Sequence, residues 1–262
     1  MSNCDRGVKA KDLNKYRESH IFRHELRTWY KTPLGQALAA KEKEELEAVL
    51  PSLFGYHLLQ ISEHTDSSYL QKSMIRHKII ADIDNKNLAK SLSMSADASN
   101  IAIASDCIDV VILPHTLDVD IAPHQVLREA DRVLVPEGRV VILGFNPWSA
   151  WGMRHVVNLC FGRCPWKLRF MSPSRIKDWL ELLGFEIEEV KTFFYSPPVS
   201  YSFLVNRTAA FEKIGSKLWP AFGGVYLLVA KKKVSTLTPL RPRWYFKRKP
   251  GVIPGFIETR NE

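Results

Sequence analysis

The stretch that most constrains the fold is residues 107–149, where two largely apolar runs flank a helical pattern. Residues 108–113 are rich in β-branched side chains, and residues 139–145 form a second run of the same kind. Such runs are typical of strands buried on both faces, as in a parallel sheet covered by helices. Between the runs, apolar side chains recur at helical spacing, at Val126, Leu127, Ala130, Val133 and Leu134. The spacing predicts a strand–helix–strand unit, and its crossover should be right-handed.

The ends of this helix are also marked in the sequence. Pro123 suits the first turn, where a missing N–H leaves no bond unmade. Gly138 follows the helical pattern and suits a left-handed turn past its end. Residues 172–183 predict another helix, with Ser172 as its N-cap and Gly184 just beyond its end.

The segment LREADRVLVPEGRVVILGFNPWS, residues 127–149, resembles the corresponding part of class I S-adenosylmethionine-dependent methyltransferases. The acid and two valines at residues 109–111 fit the start of that family's fourth strand. The resemblance is to a methyltransferase type 11-like bacterial branch with a GFNPWS loop. That branch also has a W-x-x-T-P-L-G motif, here residues 29–35, and a VYLLVAKK-type strand, here residues 225–232. The resemblance covers roughly residues 29–244.

The resemblance implies a Rossmann-like, doubly wound α/β fold with a seven-stranded, mostly parallel sheet and an antiparallel last strand. We therefore expect the strand at residues 56–61 to lie beside the strand at residues 108–113. A length of 262 residues fits one such domain with additions. We expect a helical N-terminal extension at residues 1–50, a methyltransferase-like α/β domain at residues 51–233, and a basic Pro/Arg-rich tail at residues 234–262.

The remaining elements follow from shorter patterns. Further helices are expected at residues 22–30, 36–50, 85–90, 148–161 and 201–217, and residues 32–35 should separate the first two. Further strands are expected at residues 78–83, 185–194 and 225–230, with a weak strand around Leu92 and Met94.

Composition narrows the class of protein. The formal net charge of +9 allows an anionic partner for the basic tail, either nucleic acid or a lipid headgroup, or a phosphorylated small molecule. A soluble protein with an idle basic tail is the alternative. No apolar run approaches the roughly 20 residues of a transmembrane span, and the first residues lack the apolar core of a secretory signal. Because four cysteines make no disulfide framework, we expect reduced thiols, a cytoplasmic location and no metal site.

Ligands of open α/β sheets bind beyond the carboxyl ends of the strands, where the strand order switches. The first turn there, residues 60–66, departs from the family that the chain resembles. Gln60 stands where an acid is usual, Ser62 where the first glycine is usual, and the turn contains no glycine. The family's glycines let the backbone approach the methionine part of the cofactor. The resemblance thus implies S-adenosylmethionine as cofactor, bound weakly, while an ordinary solvated turn is the alternative.

Acidic residues follow the next two predicted strands. Asp82 and Asp84 stand where the family's carboxylate holds the ribose hydroxyls, because a carboxylate can accept from both of them. Asp97, followed by the small Ala98, stands where a carboxylate of the family accepts from the adenine amino group. Loop acids that face water are the alternative for all three aspartates.

Two further turns complete the predicted site. Pro114 and His115 follow the fourth strand, and a histidine there is placed to contact ligand or to act as a general base. A packed or solvated histidine is the alternative. Asn146, held extended by the proline after it, is placed to bind a substrate group, with Trp148 as a pocket wall. A plain turn with Trp148 in the core is the alternative.

The sequence thus predicts an S-adenosylmethionine-dependent methyltransferase whose acceptor it does not identify. We assign no catalytic residue, because a good nucleophile needs mainly alignment for methyl transfer. One alternative is a methyltransferase-fold protein with impaired cofactor binding that acts as a binding or regulatory module. Another is a nucleic-acid-binding protein that works through its basic tail. The glycine-free turn separates the first two, and salt-dependent retention on nucleic acid would identify the third.

The tail leads to a first prediction. Residues after about Pro239 combine many Pro, Arg and Lys with few aliphatic side chains and cannot build a core. Deleting them should leave the melting temperature nearly unchanged, as measured by circular dichroism on the full and shortened chains. A fall of many degrees would show that Trp244, Tyr245 and Phe246 pack on the domain.

Overall fold

The computed structural model describes residues 21–62, 67–82, 94–95, 97–160, 169–196 and 222–233. In chain order, the strands are β1 (His57–Ile61), β2 (His77–Asp82), β3 (Met94–Ser95), β4 (Ile108–Pro114), β5 (Leu134–Phe145), β6 (Phe185–Phe193) and β7 (Val225–Lys232). The helices are α1 (residues 21–30), α2 (Pro33–Val49), α3 (Thr116–Val119), α4 (Pro123–Val133), α5 (Ala150–Cys160) and α6 (Pro173–Leu182). Two short 3₁₀ turns occupy Leu50–Ser52 and Ser67–Leu70.

These strands form one seven-stranded sheet in the order β3-β2-β1-β4-β5-β7-β6. Strands β1 to β5 are parallel, and β7 runs antiparallel to both β5 and β6. The expected sheet with an antiparallel last strand is confirmed. Leu58 of β1 lies opposite Val110 of β4, so the predicted pairing of these two strands is confirmed as well. The strand order reverses between β1 and β4, which we call the switch point, and open α/β sheets hold ligands at such a place.

The sheet separates two apolar cores. On one face, Leu58 and Ile112 pack with side chains of α1 and α2, among them Leu38. On the other face, Leu59 and Val111 pack with side chains of α4 and α6. Because successive side chains of a strand point to opposite faces, a strand covered on both sides needs consecutive apolar residues. This requirement explains the apolar runs in the sequence.

Helix α2 begins earlier than the sequence pattern predicts. Residues 32–35 do separate α1 from α2, but they also start α2, with Thr32 as its N-cap and Pro33 in its first turn. The Gly35 N–H donates to Thr32 Oγ1 at 3.2 Å. This bond satisfies one of the backbone donors that the first turn of a helix leaves open.

The junction between α4 and β5 also differs from the prediction. Strand β5 begins at Leu134 rather than Arg139, and its pairing with β4 contains a register shift. The residue with left-handed backbone is Glu137, with a φ of 66°, and not Gly138. Gly138 serves close packing instead, because a Cβ there would lie 3.1 Å from the Asp109 carbonyl oxygen.

Helix α6 has the ends that the sequence predicts. The Ser172 side chain accepts a hydrogen bond from the Arg175 N–H at 3.4 Å and caps the helix. Gly184 follows the helix with a φ of 87°, a conformation that favours glycine. The chain then enters β6 at Phe185.

Several predicted elements lie outside the described residues. They are the helices at residues 85–90 and 201–217, Leu92 of the weak strand, and the tail at residues 234–262. Within the described part of the chain, none of the helices has the length and apolar character needed to cross a bilayer.

The contact between α1 and α2 leaves no room for a larger residue at Gly35. A Cβ there would lie 2.6 Å from Tyr30 Cα and 3.0 Å from the Trp29 carbonyl carbon. We therefore expect Gly35→Ala to lower the free energy of unfolding by about 1–3 kcal/mol, the usual cost of overpacking, although alanine is the better helix former. Urea unfolding measures this change, with the exposed Gln36→Ala as control. Equal stability of the two variants would contradict the close contact.

Candidate active site

A buried histidine lies between two acids at the carboxyl end of β4. Nε2 of His115 is 2.8 Å from Glu42 Oε1, and its Nδ1 is 3.0 Å from Asp118 Oδ2. All three side chains are almost inaccessible to solvent. When protonated, the ring can donate one hydrogen bond to each acid.

Two tyrosines complete this arrangement on the Glu42 side. The Tyr30 hydroxyl is 3.0 Å from Glu42 Oε1, and the Tyr69 hydroxyl is 3.1 Å from Glu42 Oε2. We call Tyr30, Glu42, Tyr69, His115 and Asp118 the rim cluster. Its members come from α1, α2, the 3₁₀ turn after β1, and the segment that runs from the end of β4 into α3. The cluster therefore joins the N-terminal helices to the edge of the sheet where a ligand would bind.

Backbone contacts fix the turn after β4. His115 has a left-handed backbone with a φ of 54°, and its N–H donates to Leu143 O at 2.9 Å. The Thr116 hydroxyl donates to the carbonyl of Ile61, the last residue of β1, at 2.6 Å. A non-glycine residue in this conformation costs about 1–3 kcal/mol and persists only where its surroundings hold it. The turn thus ties β4 to both neighbouring strands at the switch point.

Asp118 extends the rim cluster towards β5. Its Oδ2 also accepts from the Phe145 N–H at 3.0 Å, while its Oδ1 is buried without a hydrogen-bond partner among the described residues. The hydroxyl of Tyr226 on β7 is buried and unpartnered within the same residues. Burial, and then the charge of Asp118, raise the pKa of Tyr226 well above its ordinary value.

The electrostatics of the rim cluster favour a protonated His115. Burial alone would lower the pKa of the imidazole, but the charge of Glu42 and the hydrogen bonds to Asp118 and Glu42 outweigh it and raise the pKa to about 9. Burial raises the pKa of Asp118, and its bond with His115 partly offsets that effect. Burial and Glu42 also raise the pKa of Tyr30. At neutral pH, His115 is therefore an imidazolium that bridges two acids.

A second buried pair holds α1 to the loop that follows α3. Arg23 Nη2 lies 3.5 Å from Asp120 Oδ2, and both side chains are buried. Burial raises the pKa of Asp120, and the Ala122 N–H and the Arg23 charge partly offset this rise. The N-terminal helices are thus held to the chain after β4 at two separate places.

Gln60 and Ser62, both predicted to bind the cofactor, lie at the switch point. Gln60 is fully buried in β1, and it faces α2 because Leu58, two residues earlier, packs on that side. Its Nε2 donates to Ser62 Oγ at 3.0 Å, and its Oε1 has no hydrogen-bond partner among the described residues. Residues 63–66 of this turn lie outside them.

The predicted aspartates are described to different extents. Asp82 is the last residue of β2 and pairs there with β3, but its side chain and all of Asp84 lie outside the described part. Asp97 Oδ1 accepts from the Ser99 N–H at 3.1 Å and from the Ser99 hydroxyl at 3.0 Å, as turn-forming aspartates do. Ala98 is fully buried beside it.

Asn146 and Trp148 differ in their surroundings. Asn146 is buried; its Oδ1 accepts from the Trp148 N–H at 3.1 Å, and its Nδ2 donates to Gly223 O at 3.0 Å. The Trp148 side chain is 69% exposed, so it does not lie in the core. The structure gathers Gln60, Ser62, Pro114 and His115 around the switch point and turns Trp148 towards solvent.

Glu42 was not among the residues that the sequence predicts for the site. It lies on the apolar stripe of α2 that contains Leu34, Leu38 and Leu46, four residues after Leu38 and four before Leu46. An acid on a buried stripe needs a partner, since Glu is almost never fully buried unless paired. The position of Glu42 on this stripe therefore indicates a buried polar contact, but it does not identify the residue that Glu42 contacts.

Known methyltransferases resemble this chain in sequence and in fold. A family model described as a methyltransferase domain matches residues 68–142. An S-adenosylmethionine-dependent methyltransferase of Thermotoga maritima is 18% identical with a TM-score of 0.60, over 82% of this chain and 99% of that chain. One from Mesorhizobium loti is 15% identical with a TM-score of 0.52, over 72% of this chain and 96% of that chain. Both structures share the fold.

A relative at higher identity matches most of the chain. The uncharacterised protein YafS of Escherichia coli strain K12 is 31% identical over 236 residues, which cover 88% of this chain and 91% of YafS. The chain belongs to the class I S-adenosylmethionine-dependent methyltransferases. The cofactor of this methyltransferase is S-adenosylmethionine.

The residues at the switch point of the methyltransferase fit this cofactor. The buried Gln60 Oε1 is an acceptor without a described partner, which an ammonium group would satisfy. Asp82 ends β2, and the buried Ala98 leaves little side-chain bulk beside Asp97. An oxygen acceptor at Gln60 suits the ammonium group of the cofactor, which donates hydrogen bonds.

The methyltransferase should lose stability as the pH rises through the range where His115 loses its proton. The ordinary pKa of about 6.5 applies in the unfolded chain, and the folded value is about 9. The stabilisation is therefore complete below about pH 6.5 and is lost as the pH rises through about 9. We expect the free energy of unfolding to fall by up to about 3 kcal/mol across this window, measured by urea unfolding.

Matched variants test whether His115 causes this slope of the unfolding free energy against pH. His115→Gln and Glu42→Gln should both flatten it, whereas the exposed control His124→Gln should keep it. A slope that survives in both His115→Gln and Glu42→Gln would contradict the protonated bridge.

Proposed function

We propose that this methyltransferase transfers the methyl group of S-adenosylmethionine to an acceptor that reaches the switch point between β1 and β4. The observation that carries the proposal is the buried Gln60 side chain, whose Oε1 has no described partner. Such an atom costs about 1–3 kcal/mol when left unsatisfied, and a bound donor group would remove that cost. Gln60 is also next to the carboxyl end of β1, beyond which ligands usually bind in this type of sheet.

The residues that would hold the cofactor follow from this placement. Gln60 Oε1 would accept from the ammonium group, and Asp82 or Asp84 would accept from the ribose hydroxyls. Asp97 and Ala98 would flank the adenine. When bound, the cofactor supplies an electrophilic methyl group on a positively charged sulfonium. Side-chain oxygens at the strand ends complement its positive charges.

We propose that the rim cluster positions the site and transfers no proton. Both ring nitrogens of His115 are engaged with acids, and the residue is only 2% exposed. The adjacent Thr116 holds the end of β1, where Gln60 lies one residue earlier. The cluster would therefore fix the wall formed by Pro114 and His115 relative to the cofactor. A small displacement of that wall would misalign the cofactor and the acceptor.

The acceptor would approach from the end of β5. Asn146 Oδ1 holds the Trp148 backbone N–H, and the indole stays 69% exposed. An exposed tryptophan beside the strand ends offers an apolar wall with a polar N–H at its tip. We propose an acceptor whose nucleophile reacts at neutral pH without a base from the rim cluster, so that proximity and alignment supply most of the rate.

Because its first turn contains no glycine, this chain should bind the cofactor more weakly than a methyltransferase that has the glycines. We expect the binding free energy to be less favourable by about 1–3 kcal/mol, the scale of local backbone strain, or the Kd to be about 5- to 150-fold higher. The double variant Ser62→Gly, His64→Gly should bind more tightly if the turn can adopt the family's shape.

Gln60→Leu should weaken binding by about 10- to 100-fold, because it removes a hydrogen bond to a charged group, and Asp97→Ala should also weaken it.

Calorimetric titration with S-adenosylmethionine and S-adenosylhomocysteine measures these changes. Asp178→Ala, at an exposed position of α6, is the matched control and should bind as the parent does. Melting temperatures of all variants separate a binding defect from a folding defect. If neither the parent nor the glycine variant gives heat at millimolar ligand, the proposed function is wrong and the fold serves another purpose. If Gln60→Leu binds as the parent does, the role assigned to Gln60 is wrong.

A further inference from the structure

Two exposed histidines meet at the end of the sheet opposite the switch point. His57 begins β1, His77 begins β2, and the two are direct partners in the parallel register. Their Nδ1 atoms lie 2.7 Å apart, and their rings are nearly perpendicular, at 86°. Ile61 ends β1 four residues after His57, so the pair lies about 13 Å from the switch point at about 3.3 Å per residue.

The start of β1 holds His57 in place before any ligand binds. The Asp109 carboxylate accepts from the backbone N–H groups of Tyr56 and His57, both at 2.8 Å. In the neutral pair, one imidazole must donate its Nδ1 proton to the Nδ1 of the other. Two nitrogen atoms therefore converge on one shared proton, on a backbone that is already fixed.

The spacing of the two nitrogens also suits a metal ion. With metal–nitrogen distances of about 2.0–2.1 Å, atoms 2.7 Å apart subtend an angle of about 80–85° at the metal. This angle is near the roughly 90° between neighbouring ligands of a square-planar or octahedral centre, and far from the roughly 109° of a tetrahedral one. Nitrogen ligands in square-planar or tetragonal geometry are typical of Cu²⁺ and Ni²⁺.

We infer that His57 and His77 form a two-histidine site for a divalent transition-metal ion, with Cu²⁺ or Ni²⁺ preferred over Zn²⁺. On binding, the donor ring would move its proton from Nδ1 to Nε2, which leaves both Nδ1 lone pairs for the ion. Water would fill the other positions, since both histidines are exposed. No group of three or more His, Cys, Asp or Glu able to hold a metal occurs among the described residues. With two protein ligands, the ion exchanges with the surroundings.

Binding at this site has two physical consequences. The ion needs two unprotonated Nδ1 atoms, so protons compete with it and binding weakens as the pH falls. The ion also contacts both histidines only when β1 and β2 are paired, so it stabilises the folded chain in proportion to its occupancy.

The test titrates copper, nickel and zinc chloride separately into the full chain in a non-coordinating buffer at neutral pH. We expect the parent and the His124→Gln control to bind one equivalent of Cu²⁺ or Ni²⁺ about tenfold or more tightly than His57→Gln or His77→Gln does. Ni²⁺ should raise the melting temperature of the parent and the control, and of neither variant. The electron paramagnetic resonance spectrum of Cu²⁺ should show two nitrogen ligands in the parent.

Two results would contradict the proposed metal site. Equal Ni²⁺ affinity of the parent and both variants would show that the metal binds elsewhere, and tighter binding of Zn²⁺ than of Ni²⁺ would contradict the geometry. Binding of S-adenosylhomocysteine should be the same in His57→Gln as in the parent. Failure of the metal site is therefore distinguishable from failure of the proposed function.

Discussion

The architecture around the switch point depends on one buried carboxylate, that of Glu42. A carboxylate in a protein interior is strongly unfavourable unless charges and hydrogen bonds compensate for it. Here the imidazolium of His115 and the hydroxyls of Tyr30 and Tyr69 do so. Because these donors come from separate segments, they meet only when α1, α2 and the turn after β4 are all in place. Apolar packing holds the N-terminal helices against the sheet, and the carboxylate selects one position for them.

Among the buried side-chain oxygens that lack a hydrogen-bond partner within the described residues, Gln60 Oε1 and Asp118 Oδ1 lie at the switch point. Folded proteins leave few buried polar atoms in this state, so each one calls for an explanation. Gln60 lies near the end of β1, and Asp118 follows β4, its neighbour in the sheet. A ligand that carries hydrogen-bond donors and positive charge explains the first of these atoms. The cofactor of this methyltransferase carries both.

The strands and the helices between them are predictable from the sequence because each reflects a local periodicity and local end signals. The site is less predictable because its contacts join distant residues. Glu42 and His115 are 73 residues apart, and His57 and His77 are 20 apart. No local pattern links either pair, so the sequence shows the members without their partners. The exposure of Trp148 is a similar case, since the burial of an aromatic side chain depends on which elements pack above it.

The location of His115 at a strand end favours a role as general base, but its hydrogen bonds oppose that role. A base must offer a lone pair to the proton of the acceptor at the working pH. The pKa of about 9 keeps the ring protonated at neutral pH, and its two N–H groups point to Glu42 and Asp118. Loss of the proton at higher pH would free a nitrogen inside a closed cluster, and an acceptor could reach it only if Glu42 and α2 moved away. The geometry therefore favours catalysis by alignment, with acceptors whose nucleophilic atom already has an available lone pair at neutral pH.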